Sequence, residues 1–473
     1  MYLFHPYYAT SKNLLFIDFA TSLIFSIFTS LCYGQIITYE LVESWNVSEI
    51  QNIYSENAIP EYAGDINFGV KGYKVFYLTP NEKDSLVEAT AAVFLPENNG
   101  FNSPILSWQH GTAVSNLGVP SAQIDNQNSL GIISASHGYI TLMSDYLGLG
   151  EGEGDHNYCH SKTEASAIID LILASKDFTE SQAVGIGEQV FLMGYSQGGH
   201  VTMAAVKEIE QNYANEIMLT ASCPMAGPYS MSIAQTTMLD VVYPNPGYFP
   251  YVIFSYQRVY GNLYNTPEEL FMPGFESLFE LYDGNYSMGQ INDSIWAIAE
   301  NNYQISPSNF RPLDMIRTEY YNEYLNNTAH PFHIALVDND LINFTPQAPM
   351  QIIHCNADDN VPYENATMAH EAFIESGANT EEITLIDGGN FNHNDCATFS
   401  VISAKLWFDT MLNGYESIGI NETVIVPKKQ LKYVMNLLGK IVNPETILGD
   451  IILLYVYDDG SVEKKINTIS NRY

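Results

Sequence analysis

The sequence predicts an α/β fold: a mostly parallel central sheet with helices on both faces, interrupted by a helical insertion and followed by a small β-rich module. Three observations carry this. Short apolar runs alternate with helical periodicity from Pro104 onward, residues 244–345 are crowded with aromatic side chains but poor in strand patterning, and the charge balance changes abruptly near residue 428.

The chain of 473 residues is 46% apolar, enough to bury a large core. Its 54 acidic against 18 basic residues give a formal charge of −36. Such a surface repels polyanions, so nucleic acid is excluded as a partner. Most of these acids are expected to be a solvated face that keeps an exported or salt-exposed protein in solution.

The first element is a leader. Lys12 precedes an apolar stretch from Phe19 to Cys32, and the small residues Cys32 and Gly34 suit cleavage after Gly34. Residues 1–34 are therefore expected to be a signal peptide that directs the protein outside the cell or to its surface; the alternative is an uncleaved membrane anchor. Gly72 to Leu95 alternates strongly around polar turn residues, the pattern of an antiparallel hairpin. PILSWQH, YITLMSDY and QVFLMGYS then read as buried strands. Before the last of them, Ser161-x-x-Glu164 has the form of a capping box opening the amphipathic helix EASAIIDLILASK. Strands separated by helices make a parallel sheet covered on both sides.

Residues 244–345 hold 20 Phe, Tyr and Trp in 102 positions. This texture suits a helical subdomain that packs on itself and covers an apolar site. The α/β pattern resumes with MQIIHC and EITLIDGG. Residues 428–473 carry 7 of the 18 basic residues and a net charge of +2, which marks a separate module; IILLYVYDDGSVEKKI alternates around Asp459-Gly460, a hairpin signal. The expected divisions are 1–34, 35–243 and 346–415 (two parts of one core), 244–345 and 428–473.

Without the leader, four cysteines remain: Cys159, Cys223, Cys355 and Cys396. They allow three disulfide pairings in an exported protein, but four small buried residues are the simpler expectation. No paired ligand spacing points to a structural metal, and no cofactor is expected. The acidic EGEGDH segment and the Asp358-Asp359 turn read as solvated loops rather than calcium sites.

The chemistry centres on Gly194-Tyr195-Ser196-Gln197-Gly198, a G-x-S-x-G pattern. The bare pattern recurs by chance; its context adds the weight. Val190 to Met193 is apolar enough for a central strand, the glycines allow a sharp turn, and His200 to Val206 continues as a helix. A serine hydroxyl needs a base to take its proton and a carboxylate to orient that base. In the order acid then histidine, Asp358 and Asp359 in IIHCNADDNVP are both candidates for the acid, and His393 in GGNFNHNDCA is the candidate base. His110-Gly111-Thr112 follows the first buried strand, so backbone N–H groups of Thr112 and Gln197 are the candidate oxyanion hole. His110 itself is expected to be structural.

These segments resemble the secretory-lipase branch of the α/β-hydrolase superfamily and its bacterial relatives. The resemblance runs from about Gly72 to Phe408 through SWQHGT, SDYLGLGEGEGDHNYCHSKTEASAIID, MGYSQGGH, DNDLINFTPQAPMQIIHCNADDNVP and HNDCA. It implies an α/β-hydrolase fold with a helical lid over residues 244–345. It also implies Ser196 as nucleophile, His393 as base and Asp358 as acid, since the family's acid lies four positions before the Pro of its Val-Pro turn, here Pro362. Cys355 stands where relatives usually carry Gly, a departure that would either narrow the turn or allow a pairing with Cys396. The tail resembles the C-terminal modules of proteins that use type IX secretion machinery. The implied function is a secreted serine hydrolase cleaving carboxylic esters, a lipase or esterase acting on small-molecule or lipid esters, with lipid-interface contact through the lid. A serine peptidase or acyltransferase on the same scaffold, and a non-catalytic surface or adhesion protein, are the competing readings.

Overall fold

A computed structural model describes residues 34–56, 64–97, 102–125, 128–413, 431–436, 442–444, 451–457 and 462–467. The expected leader, apart from Gly34, and the Asp459-Gly460 turn lie outside the described residues. Among the described residues no helix is long and apolar enough to cross a membrane.

Nine strands form one sheet. β1 (Ile36–Trp45) pairs antiparallel with β2 (Val70–Pro80), and β2 with β3 (Leu86–Pro96), in the hairpin that the alternation predicts. β4 (Asn102–Gln109), β5 (Ile140–Ser144), β6 (Gly185–Tyr195), β7 (Leu219–Met225), β8 (Met350–His354) and β9 (Ile383–Asp387) follow. The spatial order is β1-β2-β3-β5-β4-β6-β7-β8-β9, and every pair from β5 to β9 is parallel.

Period-two alternation explains why both faces are covered. On β6, Val190 and Leu192 pack with Ile168 and Ile172 of the helix Ser161–Ser181. Their neighbours Phe191 and Met193 point the other way, against Ala404 and Phe408 of the helix His393–Asp409. Burying a side chain of this size stabilises by about 1.5–3 kcal/mol, so each central strand is held from both sides.

The Ser161–Glu164 capping box is not formed. The helix starts directly after His160, the Ser161 N–H donates to Asn339 Oδ1 at 2.8 Å, and Glu164 Oε1 accepts the Cys159 N–H at 3.0 Å. A side chain 178 residues away supplies the cap, which frees the Glu164 carboxylate for the site described below.

Between β7 and β8 the chain makes helices at Tyr248–Tyr260, Met288–Ile298, Thr318–Asn326 and Pro331–Asp338. The first ends where Gly261 adopts φ +72° and returns its N–H to the Gln257 carbonyl, a left-handed cap for which glycine is suited. Phe254, Phe271, Phe275 and Phe310 form a second core with Tyr158 of the α/β part. At the C-terminal end, β10 (Leu431–Asn436), β11 (Ile451–Tyr457) and β12 (Val462–Asn467) form a separate antiparallel sheet.

Candidate active site

Ser196 sits where β6 turns into the helix Gln197–Glu208, with φ +62° and ψ −122°. A non-glycine residue held there costs on the order of 1–3 kcal/mol, so the surroundings must impose it. The Ser196 N–H donates to the Met225 carbonyl on β7 at 2.9 Å, and its own carbonyl accepts from Gly199 and His200 N–H. A side chain at Gly198 would run into the Gln109 carbonyl, and one at Gly194 into the Gly198 carbonyl. Both glycines are required by close approach of backbone, which is the physical content of the G-x-S-x-G pattern.

The chain then brings three distant side chains together. His393, the first residue of its helix, places Nε2 2.8 Å from Ser196 Oγ and Nδ1 2.6 Å from Asp358 Oδ2. Asn392 caps that helix by accepting the Asp395 N–H at 2.9 Å, which fixes where His393 emerges. Asp358 Oδ1 accepts the N–H groups of Asn360 and Val361 at 2.9 and 2.8 Å. Asp359 faces elsewhere: its Oδ1 accepts the His393 backbone N–H at 3.3 Å and the Asn360 side-chain amide. Of the two candidate acids, Asp358 meets the imidazole. Burial pushes its carboxyl up, but hydrogen bonds from His354 and His393 outweigh this and hold it well below the usual carboxylate range.

Cys355 and Cys396 are joined in a disulfide, which corrects the expectation of four unpaired cysteines; Cys159 and Cys223 are free and buried. The bridge lies three residues before Asp358 and three after His393, so it ties the Asp358 turn to the helix that begins at His393. It closes a 41-residue separation. In the chain-entropy account this is worth about 4 kcal/mol. Replacing both cysteines by alanine is expected to lower unfolding stability by about 2–4 kcal/mol in urea titrations, and reductant should then leave the variant's midpoint unchanged while lowering that of the wild type.

The Gly111 Cα lies against the elbow: a Cβ built there would sit 3.7 Å from Ser196 Cβ. This sets the backbone of Gly111 beside Ser196. Both ring nitrogens of His110 face carbonyl oxygens, of Gly111 at 2.7 Å and Asp145 at 3.3 Å, and its ring stacks on Tyr146. Burial lowers its pKa to about 4. It shapes the turn, as a structural residue does.

The Gln197 side chain is locked from below. Its Nε2 donates to Glu164 Oε1 at 2.8 Å and to His156 Nε2 at 2.7 Å, while His200 Nδ1, one turn along the same helix, donates to Glu164 Oε2 at 2.7 Å. Glu164 is 1% exposed. Sequence reading missed this network because Glu164 looked like a local cap; the signal was His200, three residues after Gln197 on the same helical face. Cys159, Glu164 and His200 are, among the described residues, the group whose ligand atoms come within metal-binding reach. Both carboxylate oxygens are already taken by N–H donors, so hydrogen bonding accounts for the group. In the EGEGDH segment, Glu151 pairs with Lys74 and Asp155 with Arg258.

Ser196 and Gln197 open on an apolar cavity. Its walls include Tyr158, Met231, Leu239, Phe249, Phe332 and Leu336. Burial raises the phenols of Tyr158 and Tyr248, which keeps this wall uncharged.

A family model described as secretory lipase matches residues 115–238, from the loop after β4 past the elbow. No curated protein sequence matches the chain. Among solved structures the chain is similar to the rice cell wall degrading esterase LipA from Xanthomonas oryzae, with 26% identity over 80% of this chain and 98% of that one and a TM-score of 0.68. A protein from Legionella pneumophila shares 23% identity over 82% of this chain and all of that one, with a TM-score of 0.70. Candida antarctica lipase A in its closed state shares 19% identity, covering 80% of this chain and 82% of that one, at a TM-score of 0.59. With this sheet order and these likenesses, the chain has the α/β-hydrolase fold.

Proposed function

We propose that the protein is a serine hydrolase of carboxylic esters, an esterase or lipase whose acyl group enters the apolar cavity. The observation that supports this best is the hydrogen-bonded series Ser196–His393–Asp358 at the mouth of that cavity. Ser196 Oγ attacks the carbonyl carbon as His393 Nε2 takes its proton, and Asp358 stabilises the imidazolium. The carbonyl oxygen, now negative, is held by the Gln197 and Thr112 N–H groups. Collapse breaks the C–O bond, His393 returns the proton to the leaving alcohol, and water releases the acid from Ser196 by the same steps in reverse. The secretory lipase match and the likeness to LipA point the same way.

In this reading residues 244–345 act as a lid. Exposed apolar side chains such as Leu325 on the insertion, with Val241 and Val242 just before it, offer a lipid contact. Residues 1–34 direct export, and residues 428–473 engage type IX secretion machinery.

The test is a panel of p-nitrophenyl esters of increasing acyl length beside the matching anilides, on wild type and Leu336→Trp. Each buried methylene is worth about 0.8 kcal/mol, about fourfold. kcat/KM on esters is expected to rise with chain length until the cavity is filled, with anilides at least about a hundredfold slower. Leu336→Trp should cost long-chain esters tenfold or more while acetate stays within about threefold. Anilide turnover matching that of esters would instead favour a peptidase, and inertness towards every ester would end the proposal.

A further inference from the structure

We propose that His354 is a positioning residue for the acid–base pair, donating a second ring N–H from behind to the same Asp358 oxygen that faces His393. The inference rests on the triad reading and adds a fourth side chain to it.

His354 ends β8, four residues before Asp358, and both side chains are fully buried. Its Nε2 lies 3.1 Å from Asp358 Oδ2 and 3.0 Å from the Val361 carbonyl. Both partners only accept, so Nε2 carries the proton. Nδ1 is buried with no partner among the described residues, and the ring makes a T-shaped contact with Tyr363 at 5.6 Å between centroids. An orphaned buried nitrogen is unfavourable, and a purely space-filling role would be met better by an apolar side chain.

Counting the donors shows what the ring adds. Asp358 Oδ1 takes two backbone N–H groups and Oδ2 takes His393 and His354, so all four lone-pair directions of the carboxylate are used. Three of these fix the carboxylate in its own turn, and the fourth is the imidazole it must orient. Sharing Oδ2 between two rings also withdraws charge from the oxygen that faces His393. Without His354 the carboxylate becomes more basic and holds the His393 imidazolium more strongly. The other groups that face His393 stay in place: Asp359 on its backbone N–H, Tyr195 with its ring at 5.1 Å and its hydroxyl on the His393 carbonyl, and Asp395 on its own helix. The Tyr243 phenol also faces Asp358 and Asp359.

The test is kcat and KM against pH for wild type, His354→Ala, His354→Asn and His354→Gln. Folded sites are counted by fluorophosphonate titration and folding is checked by thermal melts, with Ser196→Ala as the control for the triad. In His354→Ala, kcat is expected to fall tenfold or more with KM within about twofold, the loss of one hydrogen bond to a charged group. The acidic limb of kcat/KM should move up by about half a pH unit or more. Glutamine reaches the same oxygen with its amide and should restore most of both effects, whereas the shorter asparagine should not. If alanine prevents folding, the contrast between glutamine and asparagine carries the test. Acidic limbs that superpose with wild type in folded variants would overturn the inference and leave the triad standing. Retained turnover in Ser196→Ala would instead overturn the triad reading itself.

Discussion

Ser196→Ala is expected to lower kcat/KM on the best ester by on the order of 10⁵-fold while leaving the thermal midpoint close to that of the wild type. In the proposed mechanism the loss is this large because His393 and Asp358 have no separate task once the nucleophile is gone: the three act as a unit. Residual turnover of about 10³–10⁴ over water would persist, since backbone donors and the apolar cavity still bind and polarise the carbonyl. The fold should not notice the change. Ser196 Oγ bonds to His393, whereas the strained φ of +62° is maintained by the backbone contacts to Met225, Gly199 and His200. Initial rates at high enzyme concentration, with a melt of the same sample, measure both parts. A variant that keeps wild-type turnover would remove Ser196 from the mechanism.

Asp358→Asn is the second large effect, about 10⁴-fold in kcat, against less than about tenfold for Asp359→Asn. An amide at 358 can present its NH₂ to His393 Nδ1 and so place the imidazole proton on Nε2, where it blocks acceptance from Ser196. At 359 the side chain accepts one backbone N–H, a contact that the asparagine oxygen can reproduce. Stability follows the same residue. Because the folded-state value of Asp358 is depressed, its contribution is present above the unfolded-state value of about 3.9 and is lost as pH falls below that. Asp358→Asn should therefore flatten the acid side of the stability profile below about pH 4. A kcat loss larger at 359 than at 358 would move the acid by one position.

The elbow was legible because its causes are local. An apolar run, two glycines and a helical continuation occur within about twenty residues. The steric reason for Gly194 lies in the Gly198 backbone of the same segment, whereas Gly198 is held by the Gln109 carbonyl of β4, which only the folded sheet brings near. The hairpin and the strand–helix alternation were legible for the same reason. β1 was not assigned, although IITYELVESW alternates in part. Most of it is exposed at the sheet edge, and only its pairing with β2 makes it a strand. Glu164 shows the opposite error: a local capping rule applied where Asn339, Gln197 and His200 compete for the same groups.

The sequence by itself determined the order of the chemistry-bearing residues, the fold class, and the place of Ser196 in a sharp strand-to-helix turn, since these depend on short-range sterics and on the period of apolar residues. Tertiary structure put the Asp358 carboxylate, which the family resemblance had favoured over Asp359, against the His393 ring, joined Cys355 to Cys396 and set His354 behind Asp358. Adjacent residues in a turn point in different directions. Which of them meets His393, 34 or 35 positions later, depends on where β8 and the helix His393–Asp409 come to rest against each other, and no local pattern encodes that approach.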